Sequence, residues 1–306
     1  MILIDRALQA RQAAGRPVRA GIVGAGRLAH RLVNQIVNFT PGIEVAAIAN
    51  RTVARAADAY RGAGRQDISI AETLRNLDDA IFAGKAAVAA DAMLLAASEI
   101  IDVIVDVTGA VEFGAQLCLE AFRHGKDVVL ANAEVDATVG PILQEYAKRS
   151  GVILSACDGD EPGIQMNLYR WVKGLGLQPR VIGNVKGLQD PYRTPATQKE
   201  FADRWGQNPT LCTSAADGTK LSFEQAIVAN ATGFKVSTRG MSRGREYRGD
   251  VRQIGQIYDL DELRSLGGIV DYVVGTPLTK VYLLAEHPDP AMRRSLNLYH
   301  MGEGPL

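Results

Sequence analysis

The stretch that decides the fold covers residues 18–36 and reads VRAGIVGAGRLAHRLVNQI. Its first six residues form a short apolar run typical of a buried strand, and this run ends on a glycine-rich turn at 24–26. After the turn, apolar residues recur every four positions, at Leu28, Leu32 and Ile36, as they do on one face of an amphipathic helix. The stretch therefore predicts a strand, a tight turn and a helix.

The same alternation continues through the first half of the chain. Further strand-like segments lie at 43–49, 101–109, 127–132 and 152–157. The segments between them have helical patterns: the Ala-rich stretch 71–100 is predicted to be helical, and a later helix is predicted to begin near Pro141. Strands that alternate with helices favour an α/β fold with a doubly wound parallel sheet of the Rossmann type. We therefore predict a dinucleotide-binding domain over residues 1–155.

The second half has a different texture, because glycines, prolines and polar residues become frequent after residue 156. Strand-like pieces at 181–188, 270–275 and 280–285 are separated by long irregular or helical segments. We predict an α+β substrate and dimerisation domain over residues 156–306. The stretch 189–220 has little periodicity, and a structureless loop of that length is usually functional or wrongly assigned.

Composition limits the classes of partner. Of 306 residues, 34 are Lys or Arg and 34 are Asp or Glu, so no overall charge draws the chain to nucleic acid or to an anionic membrane. The N-terminus lacks the apolar core of a signal peptide, and no run approaches the length of a membrane span. Three widely spaced cysteines fit a reducing compartment, and no His or Cys spacing suggests a metal site. We therefore expect a cytoplasmic protein without metal-ligand motifs.

The first candidate site is the G-x-G-x-x-A motif at residues 24–29. In a strand-turn-helix context, its first glycine permits the tight turn, its second lets a pyrophosphate approach the backbone, and its alanine allows close packing between helix and sheet. The motif contributes five residues to the predicted cofactor site: Gly24, Ala25, Gly26, Arg27 and Leu28.

The end of the second strand bears on the choice between NADP and NAD. NAD-binding proteins usually carry an acidic residue there for the ribose hydroxyls, whereas this chain has Asn50-Arg51-Thr52. The Arg51 guanidinium suits a 2′-phosphate, so the sequence favours NADP, with NAD as the alternative. The same sequence would also be found if Arg51 were an ordinary solvated arginine at the start of a helix.

The predicted nicotinamide end of the cofactor site takes Thr108 and Gly109 from one strand end and Asn132 from the next. These strand ends open onto the crevice where ligands bind in such sheets. A plain turn residue is an equal alternative for Asn132.

Two lysines and two aspartates are the candidate catalytic residues of the second half. Hydride transfer to a carbonyl needs a cationic or protonated donor for the developing alkoxide, and Lys186 and Lys220 are the candidates. Asp160 and Asp217 could orient these lysines or bind substrate hydroxyls. Each residue also has a plain interpretation, as a surface lysine or a turn aspartate.

Several motifs together resemble the homoserine dehydrogenase-like oxidoreductases, a group that often carries a C-terminal SAF domain and includes deoxyxylulose-phosphate reductoisomerase-like enzymes. The motifs span nearly the whole chain: residues 18–36, IDVIVDVTG (101–109), DVVLANAEVDATVGPIL (127–143), CDGDEPG (157–163), DGTK (217–220), EQAIVANATGF (224–234), RGM (239–241) and the terminal YHMGEGPL. Homoserine dehydrogenases have a lysine directly after the Ala-Asn of the fifth strand, whereas this chain has Ala133, so the resemblance leaves the substrate open.

The resemblance implies a Rossmann domain followed by a catalytic and dimer-forming domain, with the substrate in the cleft between them. It also implies that Asp160, Lys186, Asp217 and Lys220 line that cleft. We therefore expect an NADP-dependent homodimeric enzyme that acts on a small hydroxylated or phosphorylated carbonyl compound. The alternative is a cofactor-binding sensor or inactive paralogue. Relatives continue beyond MGEGPL, so we also expect a shortened C-terminus without the SAF-like part.

Overall fold

The computed structural model describes residues 4–241, 245–275, 280–299 and 306, and the chain divides into two compact units, Met1–Cys157 and Asp158–Leu306. The first unit contains a seven-stranded sheet in which all neighbouring strands are parallel. Its strands are β1 (Val18–Val23), β2 (Ile43–Ala49), β3 (Ile68–Ala71), β4 (Ala86–Ala89), β5 (Val103–Asp106), β6 (Asp127–Leu130) and β7 (Leu154–Ala156). Its helices are α1 (Ile4–Ala13), α2 (Arg27–Phe39), α3 (Val53–Gly62), α4 (Leu74–Phe82), α5 (Met93–Ala97), α6 (Val111–Arg123) and α7 (Ala133–Ser150).

The strand order β3-β4-β2-β1-β5-β6-β7 confirms the predicted doubly wound sheet. The chain leaves β1 toward β2 and later returns to pair β5 with the other side of β1, so the order reverses between β1 and β5. Helices pack on both faces of the sheet and bury two apolar clusters, one around Ile22 and Val33 and the other around Ile104 and Leu117. Ligands of such sheets bind outside the strand ends at this reversal.

Two predictions for the first unit are wrong. The stretch 71–100 is not helical throughout, because its residues 86–89, AAVA, form the fully buried strand β4 between β2 and β3. Alanine favours helices in isolation, but a strand that helices cover on both faces is buried throughout, and a short run of small apolar residues can occupy it. The helix expected to begin near Pro141 begins at Ala133, and Pro141 lies inside it.

The second unit contains a mixed five-stranded sheet of order β10-β11-β8-β12, with β9 paired to β11. Its strands are β8 (Gln178–Lys186), β9 (Lys235–Val236), β10 (Arg245–Glu246), β11 (Ile269–Val274) and β12 (Lys280–Glu286). Its helices are α8 (Glu161–Gly174), α9 (Lys199–Trp205), α10 (Pro209–Asp217), α11 (Thr219–Thr232), a 3₁₀ helix (Val251–Ile257), α12 (Leu260–Leu266) and α13 (Pro290–Leu298). The stretch 189–220 is therefore partly helical, contrary to its aperiodic sequence.

Helices α8 and α11 lie side by side on one face of this second sheet. Val228 of α11 packs on Ile182 of β8 and Val270 of β11, and Met166 and Tyr169 of α8 join the same cluster. This packing places the first turns of α8 and α11 beside the end of β8 at Lys186. None of the described helices has the length and apolar composition needed to cross a lipid bilayer.

Candidate functional site

The glycine turn after β1 requires glycine at its first position. Gly24 has a φ of +112°, and a Cβ atom placed on it would lie 3.1 Å from Cγ2 and 3.2 Å from the carbonyl oxygen of Val107. Gly26 is different, because its backbone is extended and no described atom lies within 4 Å of where its Cβ would be. Gly24 thus lets β1 and the end of β5 approach each other, whereas Gly26 leaves open space in front of α2.

The start of α2 is built as an anion site. Gly26 is the N-cap residue and offers no side chain to the first-turn amides, which have no partners within a helix. These amides and the helix dipole attract phosphate. Ala29 is fully buried against the sheet, while Leu28 is half exposed and Arg27 is partly exposed. Ala25 is buried at the turn.

At the end of β2, the predicted phosphate-binding residues face solvent. Arg51 and Thr52 are exposed, and Arg51 has no hydrogen bond or ion pair with any residue in the described part of the chain. Asn50 donates a hydrogen bond from its side-chain amide to the Thr52 carbonyl at 2.9 Å, which fixes the turn into α3. The Arg51 guanidinium is therefore available to a ligand at this edge.

The loop after β5 is held by a buried aspartate that the sequence did not single out. Asp106 is fully buried and accepts hydrogen bonds from the Thr108 hydroxyl at 2.7 Å and from the Asn132 amide at 2.8 Å. Asn132 is also fully buried and accepts a hydrogen bond from the Val135 amide at 3.3 Å, as the N-cap of α7. Its contribution to a cofactor site would be indirect, through the position of Thr108. Gly109, with a φ of +71°, is exposed at the loop tip.

In the second unit, three of the four candidate catalytic residues lie together. Lys220, on the first turn of α11, places its Nζ atom 3.6 Å from Asp160 and 3.2 Å from Glu161 at the start of α8. Lys186, at the end of β8, pairs with the other oxygen of Glu161 at 2.9 Å. Glu161 thus bridges the two lysines. These side chains are only 13–29% exposed, so their mutual attraction is weakly screened by solvent.

Glu224, one helical turn after Lys220, completes the cluster. Its side chain is fully buried and forms an ion pair with the Lys220 ammonium. Burial raises the pKa of Glu224 to about 7, although Lys220 acts in the opposite direction. Burial alone would lower the pKa of Lys220, but Glu224, Glu161 and Asp160 together raise it above its usual range. The Lys220 ammonium is therefore a fixed positive charge at neutral pH.

The two adjacent carboxyls of α8 differ in protonation. Burial and the neighbouring Glu161 raise the pKa of Asp160. Burial would also raise the pKa of Glu161, but the hydrogen bond with Asp160 and the two ammonium groups hold it well below its usual range. One carboxyl thus keeps its proton to higher pH while its neighbour is ionised, an arrangement suited to acid-base chemistry.

Asp217 lies outside this cluster of contacts. Its carboxylate accepts a hydrogen bond from the Thr219 amide at 2.8 Å, so it acts as a turn residue at the start of α11. It also lines an open cavity of about 570 Å³. The cavity is lined by Gln189, Asp217, Gly218, Thr219, Ser222 and Phe223. Lys220 follows Thr219 directly but is not among the residues that line this cavity.

The cluster also has a donor set that suits a divalent cation. Asp160, Glu161 and Glu224 present oxygen atoms that all lie within 4.8 Å of one another, and Mg²⁺ and Mn²⁺ favour carboxylate ligands. The Lys220 ammonium lies among these same oxygens. A metal ion bound here would have to displace it.

Sequence reasoning missed Glu161 and Glu224, although each carried a signal. Glu161 follows Asp160 directly in the GDEPG motif, and Glu224 lies four residues after Lys220, the spacing that places two side chains on one face of a helix. The terminal motif YHMGEGPL lies outside the described residues, apart from its first and last residues.

Comparisons with known proteins match both units to family models. Residues 24–155 match the NAD-binding domain of homoserine dehydrogenase, and residues 159–306 match the catalytic domain of oxidoreductase DRL. The first unit therefore belongs with domains that bind a nicotinamide dinucleotide. A homoserine dehydrogenase from Pseudomonas aeruginosa is 23% identical over 300 residues, which cover 85% of this chain. This chain spans 65% of the length of that relative.

Solved structures are similar to this chain at low sequence identity. A 1-deoxy-D-xylulose 5-phosphate reductoisomerase from Zymomonas mobilis, in complex with NADPH, is 18% identical with a TM-score of 0.51. The match covers 91% of this chain and 68% of that chain. An NAD-binding oxidoreductase from Klebsiella pneumoniae is 13% identical with a TM-score of 0.41, over 60% of this chain and 47% of that chain.

Proposed function

We propose that this chain is an NADP-dependent reductase or dehydrogenase of a small hydroxylated or phosphorylated carbonyl compound, because its two units match the NAD-binding domain of homoserine dehydrogenase and the catalytic domain of oxidoreductase DRL. The observation that carries the proposal is the Lys220 ammonium, which is held among three carboxyl groups and stays positively charged at neutral pH. Such a cation stabilises negative charge that develops on a substrate oxygen atom near it.

The glycine turn and the first turn of α2 would hold the pyrophosphate of the cofactor, and the loop at 107–109 would lie nearest its nicotinamide end. When bound, the cofactor supplies a hydride to the carbonyl carbon or accepts one from the alcohol. As the carbonyl oxygen gains the electron pair, Lys220 donates a hydrogen bond and then a proton to it. Asp160 lies 3.6 Å from Nζ and can relay a proton from solvent to the amine.

Lys186 has two possible roles in this reaction. Through Glu161, at 2.9 Å, it can fix the position of Lys220, or it can anchor a carboxylate or phosphate of the substrate.

A ligand screen tests the proposal. A thermal-shift assay should first identify NADPH as a stabilising ligand. Hydroxylated and phosphorylated carbonyl compounds should then cause oxidation of NADPH, which is measured as a loss of NADPH absorbance. Stabilisation by NADPH without oxidation by any compound in the panel would favour the sensor alternative. If turnover requires Mg²⁺ or Mn²⁺ and stops with EDTA, the three carboxylates bind a metal ion during the reaction and Lys220 is displaced.

We expect NADPH to bind more tightly than NADH, because Arg51 is exposed and without a partner where a 2′-phosphate would lie. Arg51→Ala should weaken NADPH binding by roughly 10-fold, as expected for the loss of a charged hydrogen bond, and leave NADH binding unchanged. Isothermal titration measures both. Arg61→Ala removes an exposed arginine from the last turn of α3 and should change neither the NADPH affinity nor the NADH affinity. A wild type that prefers NADH would remove the role proposed for Arg51.

We further propose a homodimer formed mainly through the second unit. The support is exposed apolar surface there: Phe201 and Trp205 on α9 are 51% and 53% exposed, with ring centroids 6.5 Å apart. Exposed aromatic pairs of this kind are enriched in interfaces. Light scattering at micromolar concentration should give twice the monomer mass, and a monomer mass would contradict the proposal.

A further inference from the structure

Glu224 of the charged cluster also belongs to a deeper layer of polar side chains, whose other members are uncharged. Three elements, α8, β8 and α11, each supply one residue to an outer layer and one to an inner layer. The outer layer consists of Glu161, Lys186 and Lys220. The inner layer consists of Gln165, Asn184 and Glu224. The spacing is four residues on each helix and two on the strand, so each pair points the same way from its element.

The inner layer is continuous and fully buried. Gln165 donates a hydrogen bond to the Asn184 side-chain oxygen at 3.1 Å. Asn184 in turn directs its amide to one oxygen of Glu224 at 3.5 Å, the outer limit of a hydrogen bond. The other Glu224 oxygen pairs with the Lys220 ammonium. All three inner residues are 0% exposed. Movement of Gln165 is therefore transmitted through two side chains to Lys220.

Fold stability does not account for the inner layer. The side-chain oxygen of Gln165 is buried and has no hydrogen-bond partner among the described residues. An unpaired buried polar atom costs about 1–3 kcal/mol, and an apolar side chain of the same length would avoid that cost. Polar groups that lower stability without local compensation are typical of functional sites.

We propose that the inner layer positions the Lys220 ammonium, and that Gln165 is a positioning residue although, among the described residues, its side chain hydrogen-bonds only to the uncharged Asn184. This inference rests on the proposed function of Lys220. The Asn184 side chain can pivot between neighbours, and the hydrogen bond from Gln165 holds its amide toward Glu224. Without that bond, Glu224 and the ammonium that it holds are free to shift, and loss of alignment by about an ångström is enough to slow an enzymatic reaction about 10²-fold.

Gln165→Met tests the inference, because methionine preserves the length of the side chain and removes its polar atoms. We expect the melting temperature to stay the same or rise, turnover at saturating substrate to fall by roughly 10-fold, and the Michaelis constant and NADPH affinity to stay unchanged. A purely structural glutamine would give the reverse: a lower melting temperature with unchanged turnover per folded molecule.

Gln225→Met is the matched control. Gln225 follows Glu224 directly, is 0% exposed, and has no hydrogen-bond partner for either amide atom within the described part of the chain. The same substitution therefore removes a buried amide at the same depth without touching the inner layer. We expect a higher melting temperature and unchanged turnover.

A measurement that needs no substrate separates this inference from the proposed function. Competitive acetylation of lysines, read by mass spectrometry, gives the reactivity of Lys220 relative to the exposed Lys148 of the same chain. Gln165→Met should change the relative reactivity of Lys220 several-fold, whereas Gln225→Met should leave it at the wild-type value. If no substrate is ever found, a changed reactivity still supports the inner layer. Equal Lys220 reactivity in both variants would overturn the inference, whatever the turnover.

Discussion

Lys220→Ala should lower turnover by about 10²-fold or more while NADPH affinity stays at the wild-type value, the scale expected when a positioned proton donor or oxyanion partner is lost. The reason is geometric: the Lys220 ammonium is the point where Asp160, Glu161 and Glu224 converge. Steady-state kinetics with NADPH and the best substrate of the panel measure the effect. Lys148→Ala, at an exposed surface pair, serves as the control and should be silent.

The structure adds a complication that requires a second variant. Removing Lys220 leaves the fully buried Glu224 without its cation, and because burial already raises the pKa of Glu224 to about 7, the carboxyl must either take up a proton or destabilise the fold as an unpaired charge. Lys220→Ala combined with Glu224→Gln removes the stranded charge. We expect this double variant to melt near the wild type and to remain slow, which assigns the loss to chemistry rather than unfolding. Lys220→Arg should restore activity only in part, because a guanidinium is larger and does not release its proton.

The kinetics of Lys186→Ala, compared with those of Lys220→Ala, distinguish the roles of the two lysines. Loss of turnover at saturating substrate marks the lysine that meets the reacting oxygen, whereas a raised Michaelis constant with preserved turnover marks an anchor for a substrate anion.

The pH dependence of turnover tests the charge of Lys220. Neighbouring carboxylates raise the pKa of Lys220 above its usual range, so wild-type turnover should not fall through loss of the Lys220 proton below about pH 10. Near-normal kinetics for both Lys186→Ala and Lys220→Ala would contradict a catalytic role for either lysine and leave only a structural one.

Gly26→Val should abolish measurable NADPH binding without unfolding the protein. The backbone of Gly26 is extended, with φ −82° and ψ −174°, and no described atom lies within 4 Å of an added Cβ. A valine there is therefore tolerated by the free protein at a cost of no more than ~1 kcal/mol at the N-cap. It would fill the space that a pyrophosphate needs at the start of α2. Loss of two hydrogen bonds to a charged phosphate corresponds to at least ~10²-fold in affinity.

Gly24→Val provides the contrast on the same turn. Its positive φ and the 3.1 Å approach of Val107 make any side chain at Gly24 strained, so this variant should lower the melting temperature of the apoprotein by several degrees. Isothermal titration gives the NADPH affinity of both variants, and thermal melting gives their stability. Normal NADPH affinity in a folded Gly26→Val protein would show that the cofactor does not lie on the helix start.

Periodicity predicted the elements whose side chains alternate or recur, and it failed where burial overrides local preference. Strand β1 follows its continuous apolar run, and helices α2 and α6 follow their patterns because one face of each helix packs on the sheet. Strand β4 does not, since its four residues are buried on both faces and include three alanines that favour helices. No single-residue pattern reveals that a strand will be inserted between two others.

The candidate site was predictable in part for a similar reason. Motif spacing identified Lys186 and Lys220, but the chain separates Glu161 from Lys186 by 25 residues and from Lys220 by 59. The sequence alone does not reveal that these residues meet. Asn132 illustrates the opposite case: its position at a strand end suggested ligand binding, whereas its side chain is buried and caps a helix. The sequence identifies residue types suited to a site, and packing decides which of them meet.

The most direct test of the central claim is transfer of deuterium from NADPH that carries deuterium at both C4 positions. The protein is incubated with the panel of hydroxylated and phosphorylated carbonyl compounds, and products are analysed by mass spectrometry. We expect one compound to acquire a single deuterium at its former carbonyl carbon with the wild type, and to acquire almost none with the Lys220→Ala and Glu224→Gln double variant. Binding of NADPH without deuterium in any product would contradict the account and indicate a cofactor sensor.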